Sequence, residues 1–395
     1  MYHREAIQYL KQLPLLAART REAAAPEASQ MQVRSLGTLA EFCSLAHDWD
    51  RLQGEAATTS VFNTWMWHLA WWQMHGAGRA LKVMAARRAG VTTGIVPLYL
   101  DTVRAMGMKV RVLRLLGADA SGNTHNIGPL FERGSERETA QALARAIVGM
   151  RGYDVLELPE LDAAIPLGAA IVEAARIAGM RYHVAQAKRL VHLALAPNWN
   201  AYLRSLSSAQ RARIRHRRHA LHAAHAARFF VWQAGAAVDA PLALLAELAA
   251  KRGATAPRSP LQRSAMAQSF EDGRLRLYCL ELDGRVRAAA CGMRFRDRIV
   301  LTEMQFDPQY AAVRPLSVLL HYAVEHAIGE RVCGFDFLQS DPALDDDLAF
   351  GRQFVRLSVF RWTVAAAAFR AREALSRLRA KPAAPWASAA AASAA

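Results

Sequence analysis

The chain has 395 residues, of which 53% are hydrophobic and 21% charged, and its formal net charge is +16. These proportions exclude a disordered or collagen-like chain and leave room for two or three ordinary domains. The positive balance favours anionic partners: nucleic acid, anionic lipid, or phosphorylated cofactors and substrates.

Residues 1–31 read as a helical or loosely ordered leader. The opening MYHREAIQYLKQL carries charges where a signal sequence has its apolar stretch. No window reaches the roughly 18 apolar residues of a membrane span, so a cytoplasmic protein is expected. Next comes an aromatic-rich helix over residues 62–76, with Trp65, Trp67, Trp71 and Trp72. These tryptophans read either as core and interdomain contacts or as a platform for stacking a sugar. Strands follow over 81–86, 91–100 and 109–117, with a turn at Arg88-Ala89-Gly90. The polar loop Asn123–Asn126 faces an acceptor or is a plain turn. A helix over 135–150, a strand over 153–161, a helix over 164–178 and a strand over 189–195 complete the unit.

The same order then recurs, with the boundary near residues 196–199. A helix beginning near Asn200 carries Arg204, Arg211, Arg213, Arg215, Arg217 and Arg218 and no acid. Strands 275–282 and 286–295 meet at Asp283-Gly284, a strong hairpin signal. A strand over 298–307, a helix over 315–329, a short strand over 333–338 and a strand over 354–364 follow. A basic amphipathic helix over 366–381 can lie on anionic lipid, and an Ala/Pro-rich tail ends the chain. The expected fold is mixed α/β: two tandem domains, 32–197 and 198–372, each a central mixed sheet flanked by helices. Residues 373–395 form the basic helix end and tail.

The loop into the 315–329 helix has the character of a phosphate site, since a helix N-terminus offers unpaired N–H groups and the positive dipole end. Pro315 suits the first turn, Arg314 adds a cation and Ser317 a hydroxyl. An ordinary capped helix is the competing reading.

Four stretches in the second half carry a resemblance: residues 202–221, the hairpin 280–295, residues 306–328, and FDFL at 335–338. Residues 62–76 and 94–100 add to it in the first half. Together they resemble the CelD-like (cellulose-biosynthesis-type) acetyltransferases of the GNAT superfamily, related in architecture to the tandem-domain FemABX peptidyltransferases. The resemblance spans about residues 32–372 and implies two GNAT-like domains, the second retaining the cofactor site. It implies acyl transfer from acetyl-CoA or another acyl-CoA, without a metal, to a sugar or amine acceptor such as an envelope or exopolysaccharide precursor. FemABX-like transfer from an aminoacyl-tRNA is the alternative; neither basic cluster has the aromatics or reader motif of other nucleic-acid binders. A non-catalytic scaffold at the inner-membrane face is a third reading. Carried over by position, the phosphate turn is Arg314, Leu316, Ser317, Val318 and Leu319, and the strand through Gln305 and Phe306 bears the acyl group on its edge. The chain departs from the pattern twice: Pro315-Leu316-Ser317 stands where relatives place a glycine, and Asp345-Asp346-Asp347 follows FDFL without the Tyr-Lys pair.

For the chemistry, Glu303 is the candidate base, or a strand acid facing solvent or an arginine. Strand alternation puts Val300, Thr302, Met304 and Phe306 on one face and Leu301, Glu303 and Gln305 on the other. Asp336, near a strand C-terminus, is a second catalytic candidate or a buried capping acid. Tyr310 and Asp307 flank the cofactor loop. Arg211 and Arg215, four apart, clamp an anionic substrate or form a solvated face. His216, His219, His222 and His225 recur every three residues without a completing carboxylate or cysteine, so no metal is assigned. The four cysteines have no ligand spacing and read as reduced thiols.

Overall fold

The chain enters the fold through an edge strand, β1 (Gln32–Leu36), in a computed structural model that describes residues 31–56, 60–118, 127–232, 239–253, 266, 269, 271–337 and 351–379. Thr38 and Glu41 form a capping box on α1 (Leu39–Ser44), which turns into α2 (Ala46–Glu55). Thr64 caps α3 (Trp65–His75) by accepting from the Trp67 amide at 3.2 Å. The strands β2 (Ala80–Leu81), β3 (Val83–Arg88) and β4 (Val91–Val96) follow. Pro97 cannot donate to a ladder. The single strand expected over 91–100 therefore divides there, and β5 (Leu98–Ala105) leaves for a different sheet. The first half continues through β6 (Met108–Leu115), β7 (Leu130–Phe131), α4 (Glu136–Gly149), β8 (Val155–Asp162), α5 (Leu167–Ile177) and β9 (Arg181–Ala194). β9 is twice the length expected for it, because its first residues pair with a distant strand that local pattern does not announce.

In the second half the expected arginine helix is two helices, α6 (Trp199–Ser205) and α7 (Ser208–Ala224). Ser207 and Gln210 make a capping box that starts α7 afresh. A strand β10 (Ala227–Trp232) and a helix α8 (Asp239–Lys251) were not foreseen. The hairpin β11 (Leu275–Leu282) and β12 (Arg285–Phe295) turns at Asp283 and Gly284, with φ of 54° and 80°. The next strand is β13 (Arg298–Phe306), followed by α9 (Pro315–Gly329), β14 (Gly334–Phe337), β15 (Gly351–Phe360) and α10 (Val364–Arg379).

These strands form a four-stranded sheet, β1-β3-β4-β7, and an eleven-stranded sheet in the order β10-β11-β12-β13-β14-β9-β15-β8-β6-β5-β2. Each half makes one parallel pairing through a helical crossover: β6 with β8 across α4, and β13 with β14 across α9. The closing strands are exchanged. β9, read from sequence as completing the first unit, pairs with β14 and with β15, while β15 pairs with β8. The two halves thus share one continuous sheet.

On one face of the second-half sheet, Leu316, Leu319, Leu320, Ala323, Val324 and Ala327 of α9 are buried against β11–β14. On the other face, Trp49, Trp65, Trp67 and Trp71 join one apolar cluster with Leu245, Leu248, Cys291 and Val300. The indole N–H groups of Trp65, Trp67 and Trp71 donate to the carbonyls of Phe42, Gly117 and Ala118 at 3.3, 3.1 and 2.7 Å. These tryptophans are core, with their polar atoms satisfied internally. Cys43, Cys279 and Cys291 are buried free thiols and Cys333 an exposed one. No helix among the described residues is long and apolar enough to cross a membrane.

Candidate functional site

The segment joining β13 to α9 begins at Asp307, whose carboxylate caps the 3-10 turn Pro308–Val313 by accepting from the Gln309 amide at 3.2 Å. Asp307 is buried, which opposes its charged form. Hydrogen bonds from Lys251 at 3.1 Å, the Gln309 amide and Arg287 at 2.9 Å prevail and hold its carboxyl below the usual range. Arg314 then takes the left-handed conformation, φ 47° and ψ 55°, and turns the chain into α9 at Pro315. Its side chain is exposed and has no partner among the described residues.

The first turn of α9 has neither an acidic residue nor a cap from the Arg314 side chain. Pro315 has no N–H, and the Val318 N–H returns to the Arg314 carbonyl at 3.3 Å. The counterpart in the first half also lacks a side-chain cap but differs in charge: α4 begins with Glu136 and Glu138, and the Glu136 carboxylate accepts from the Gly134 amide at 2.9 Å. An anion is therefore favoured at α9 and repelled at α4.

α7 packs along α9 and brings cations to this end. Arg217 donates to the Ser317 hydroxyl at 2.7 Å. Arg218 pairs with Glu325 at 2.8 Å and lies 4.0 Å over the Tyr322 ring and 4.9 Å over Trp199. One turn beyond Ser317, His321 is buried, and its Nδ1 has no hydrogen-bond partner among the described residues. Burial, helped by the charges of Arg218 and Arg217, pulls its pKa down to about 3, so the imidazole is neutral and the local charge stays with the arginines.

β13 supplies the other wall. Its pairing with β14 ends at Leu301 opposite Phe337, while its pairing with β12 continues to Phe306 opposite Ala288. Among the described residues no β14 pairing extends beyond Leu301. A β-bulge lies within this stretch: Gly292 pairs with Leu301 and Cys291 with Glu303, leaving Thr302 as the extra residue. The Thr302 hydroxyl donates to the Cys291 carbonyl at 3.2 Å. The bulge corrects the expected alternation. Leu301 and Met304 both pack toward α9, and Glu303 and Gln305, opposite Cys291 and Ala289, share the other face with Val300. Glu303 is half-buried and accepts from Gln305 Nε2 at 3.4 Å. The Phe306 ring lies 4.6 Å beneath the Arg252 guanidinium.

Leu316, Ser317, Val318 and Leu319 are thus gathered with Arg314 beside the end of β13, where Gln305 and Phe306 lead to it. Other candidates are committed elsewhere. Both Asp336 oxygens accept from Arg298 at 2.8 Å, and one also meets His192 Nδ1. Burial opposes the charge, but the His192 and Arg298 hydrogen bonds hold the Asp336 carboxyl below its ordinary range. It is an anchor joining β13, β14 and β9, with no oxygen left over for a proton-transfer role. Arg211 donates to the carbonyls of Leu203 and Leu206 and secures the corner between α6 and α7. Arg215 is exposed with no partner among the described residues, while Arg211 is engaged by those two carbonyls. The helix face that meets α9 is that of Arg217 and Arg218. Tyr310 stacks 4.5 Å under Arg287 and 5.4 Å from His225, beside the 3-10 turn. His222 bonds the Tyr322 hydroxyl at 2.8 Å and His225 bonds Asp283 at 2.7 Å. Among the described residues no group of three His, Cys, Asp or Glu is placed to hold a metal. The loop Asn123–Asn126 and the acidic run Asp345–Asp347 lie outside the described residues.

Sequence reasoning passed over Arg217 and His321. Arg217 was one of a row of arginines without a register to α9, and His321 stood four residues after Ser317 in a helix read only for its apolar face.

Residues 208–345 match the acetyltransferase (GNAT) domain. This stretch runs from α7 past β14 and contains the whole β13–α9 site. The FemX crystal structure is similar with a TM-score of 0.51 and 11% identity over 78% of this chain and 95% of that one; at that identity the likeness concerns the fold alone. A tandem GNAT protein from the clavulanic acid biosynthesis pathway, without AcCoA, gives 0.43 and 13% identity over 82% and 98%. L-PGS from Bacillus licheniformis gives 0.42 and 11% over 71% and 85%. No curated protein matches the chain. The CelD-like subtype finds no counterpart among these likenesses, whereas the GNAT-type acyltransferase fold does.

Proposed function

We propose that the chain is an acyl-CoA-dependent N- or O-acyltransferase whose transfer domain spans residues 198–372. The observation that carries this reading is the acid-free first turn of α9, flanked by Arg217 and Arg314, beside the end of β13. The Leu316 and Ser317 amides suit the diphosphate of CoA, and Arg217 and Arg314 add charge-assisted contacts. When bound, acyl-CoA supplies an activated thioester carbonyl. In this reading backbone N–H groups of β13 stabilise the oxyanion that forms at that carbonyl. Glu303, half-buried on the face opposite α9, takes the proton of the attacking amine or hydroxyl. The acceptor belongs, on the sequence resemblance, to envelope or exopolysaccharide precursors carrying a sugar hydroxyl or amine.

The test is thermal shift of the full chain with acetyl-CoA and longer acyl-CoA esters, repeated with Arg314→Glu. Stabilisation of the wild type by at least one thioester, reduced in the variant, is expected. Absence of any shift with every thioester would overturn the reading. FemABX-like aminoacyl transfer is favoured by one observation, the FemX-like fold in a chain of net charge +16. Salt-sensitive tRNA binding without a thioester shift would select it.

A further inference from the structure

Between β15 and α10 runs Arg361-Trp362-Thr363, with Val364 opening α10, and the three connecting residues are anchored. Arg361 donates to the carbonyls of Val148, at 3.0 Å, and Met150, beneath a cation–π contact of 4.7 Å with Tyr153. Thr363 caps α10 through the Ala366 amide at 3.1 Å. The Trp362 indole N–H donates to the Gly179 carbonyl at 2.9 Å, and Arg181 lies 4.7 Å over its ring. The ring is thereby held on the turn between α5 and β9 with its polar atom already satisfied and its apolar surface outward.

Trp362 is 68% exposed, Val364 74% and Ile177, two residues before Gly179, 73%. These are the most exposed large apolar side chains among the described residues, and they stand on one rim of the sheet. α10 extends the rim. Its Ala366, Ala368 and Phe369 are buried against β5 and β6, so the lipid-facing role expected for this helix passes to its opposite side. There Val364, Ala367, Ala371 and Leu375 recur at helical spacing and are exposed. The rim is cationic as well: Arg151, Arg181 and Arg370 are exposed. The neighbouring carboxylates are committed, Glu173 to Arg176 at 2.7 Å and Asp154 to Arg111 and Thr363.

We infer that this rim docks the protein on an anionic lipid surface. Trp362, Ile177 and Val364 enter the interfacial layer, and the arginines meet lipid phosphates. A rigid tryptophan with arginines around it and an apolar helical stripe beside it is the chemistry of a headgroup boundary. A patch of this kind left open to water marks an interaction surface, and its positive charge selects an anionic occupant. The inference is independent of the transfer reading, because the rim shares no residue with the β13–α9 site.

Flotation of the full chain with phosphatidylcholine vesicles, with and without phosphatidylglycerol, tests it. The wild type is expected to float with the anionic vesicles and to be released by salt. Trp362→Ala and Val364→Asp are each expected to bind at least roughly tenfold more weakly, with unchanged thermal midpoints. Failure of the wild type to float with anionic vesicles would overturn the inference. So would undiminished flotation of both folded variants.

Discussion

Arg217 of α7 is hydrogen-bonded to Ser317 in the first turn of α9, 2.7 Å from guanidinium nitrogen to hydroxyl oxygen. One contact fixes a cation beside the acid-free first turn of the helix and so joins packing to ligand chemistry. Arg217→Ala is expected to weaken CoA binding about 10- to 100-fold, the worth of a charge-assisted hydrogen bond. The loss grows at low ionic strength, where the cation contributes most. Isothermal titration at two salt concentrations reads both effects, and unchanged affinity at low salt would remove Arg217 from the site.

Glu303 follows the Thr302 bulge. Glu303→Gln keeps the shape and removes the base, so kcat is expected to fall about 10²- to 10⁴-fold with little change in the KM for acyl-CoA. Deleting Thr302 removes the extra residue but leaves Glu303 opposite Cys291 on the face it already occupies. The deletion is therefore expected to lower stability, through loss of the Thr302 contact to the Cys291 carbonyl, while retaining far more activity than Glu303→Gln in steady-state kinetics and thermal melts.

The acid limb of stability carries a signature of His321. Its folded pKa, about 3, lies below the unfolded value of roughly 6.5. The unfolded chain therefore binds the proton first, and stability falls as pH drops from about 6.5 toward the folded value, by up to about 1.4 kcal/mol per pH unit. His68, buried beside Trp49 and drawn down to about 4 by burial, adds a second increment. Urea unfolding of wild type and His321→Leu at pH 7 and pH 5 is expected to show a smaller loss in the variant.

Asp336 acts in the same direction from a lower pH. Its folded pKa lies below the unfolded value of about 3.9, so its contribution is complete above that value and is lost as pH falls through the folded one. Removing one partner at neutral pH leaves buried charge uncompensated. Arg298→Ala is expected to cost about 3–5 kcal/mol in chemical denaturation.

Gly334 explains why that ion pair forms where it does. A Cβ at this position would overlap the Arg298 guanidinium, which lies against the glycine backbone. Gly334→Ala is expected to displace Arg298 and to lower stability by about 1–3 kcal/mol. The double variant with Arg298→Ala should cost less than the sum of the two, in a denaturant-based mutant cycle.

Much of this protein was readable from residue order. Pro315 with its apolar spacing marked the bounds of α9, Asp283-Gly284 marked the β11–β12 hairpin, and the recurring order of elements announced a mixed α/β fold. Each is a local signal, written in a proline's missing N–H, in residues that tolerate positive φ, or in a period of 3.6. The tryptophans of α3 also read correctly as core, since four large rings in one short helix have few other places to go.

What tertiary structure decided was everything requiring two distant segments to meet. The exchange of β9 and β15 depends on pairings between residues that strand propensity cannot distinguish from others. The bulge at Thr302 depends on a partner strand one residue short. Arg217 became the arginine of the site, ahead of Arg211 and Arg215, only when α7 lay down on α9. Local preference sets the conformation of a segment; the face it shows to a neighbour follows from burial summed over the whole sheet, which no single window of sequence contains.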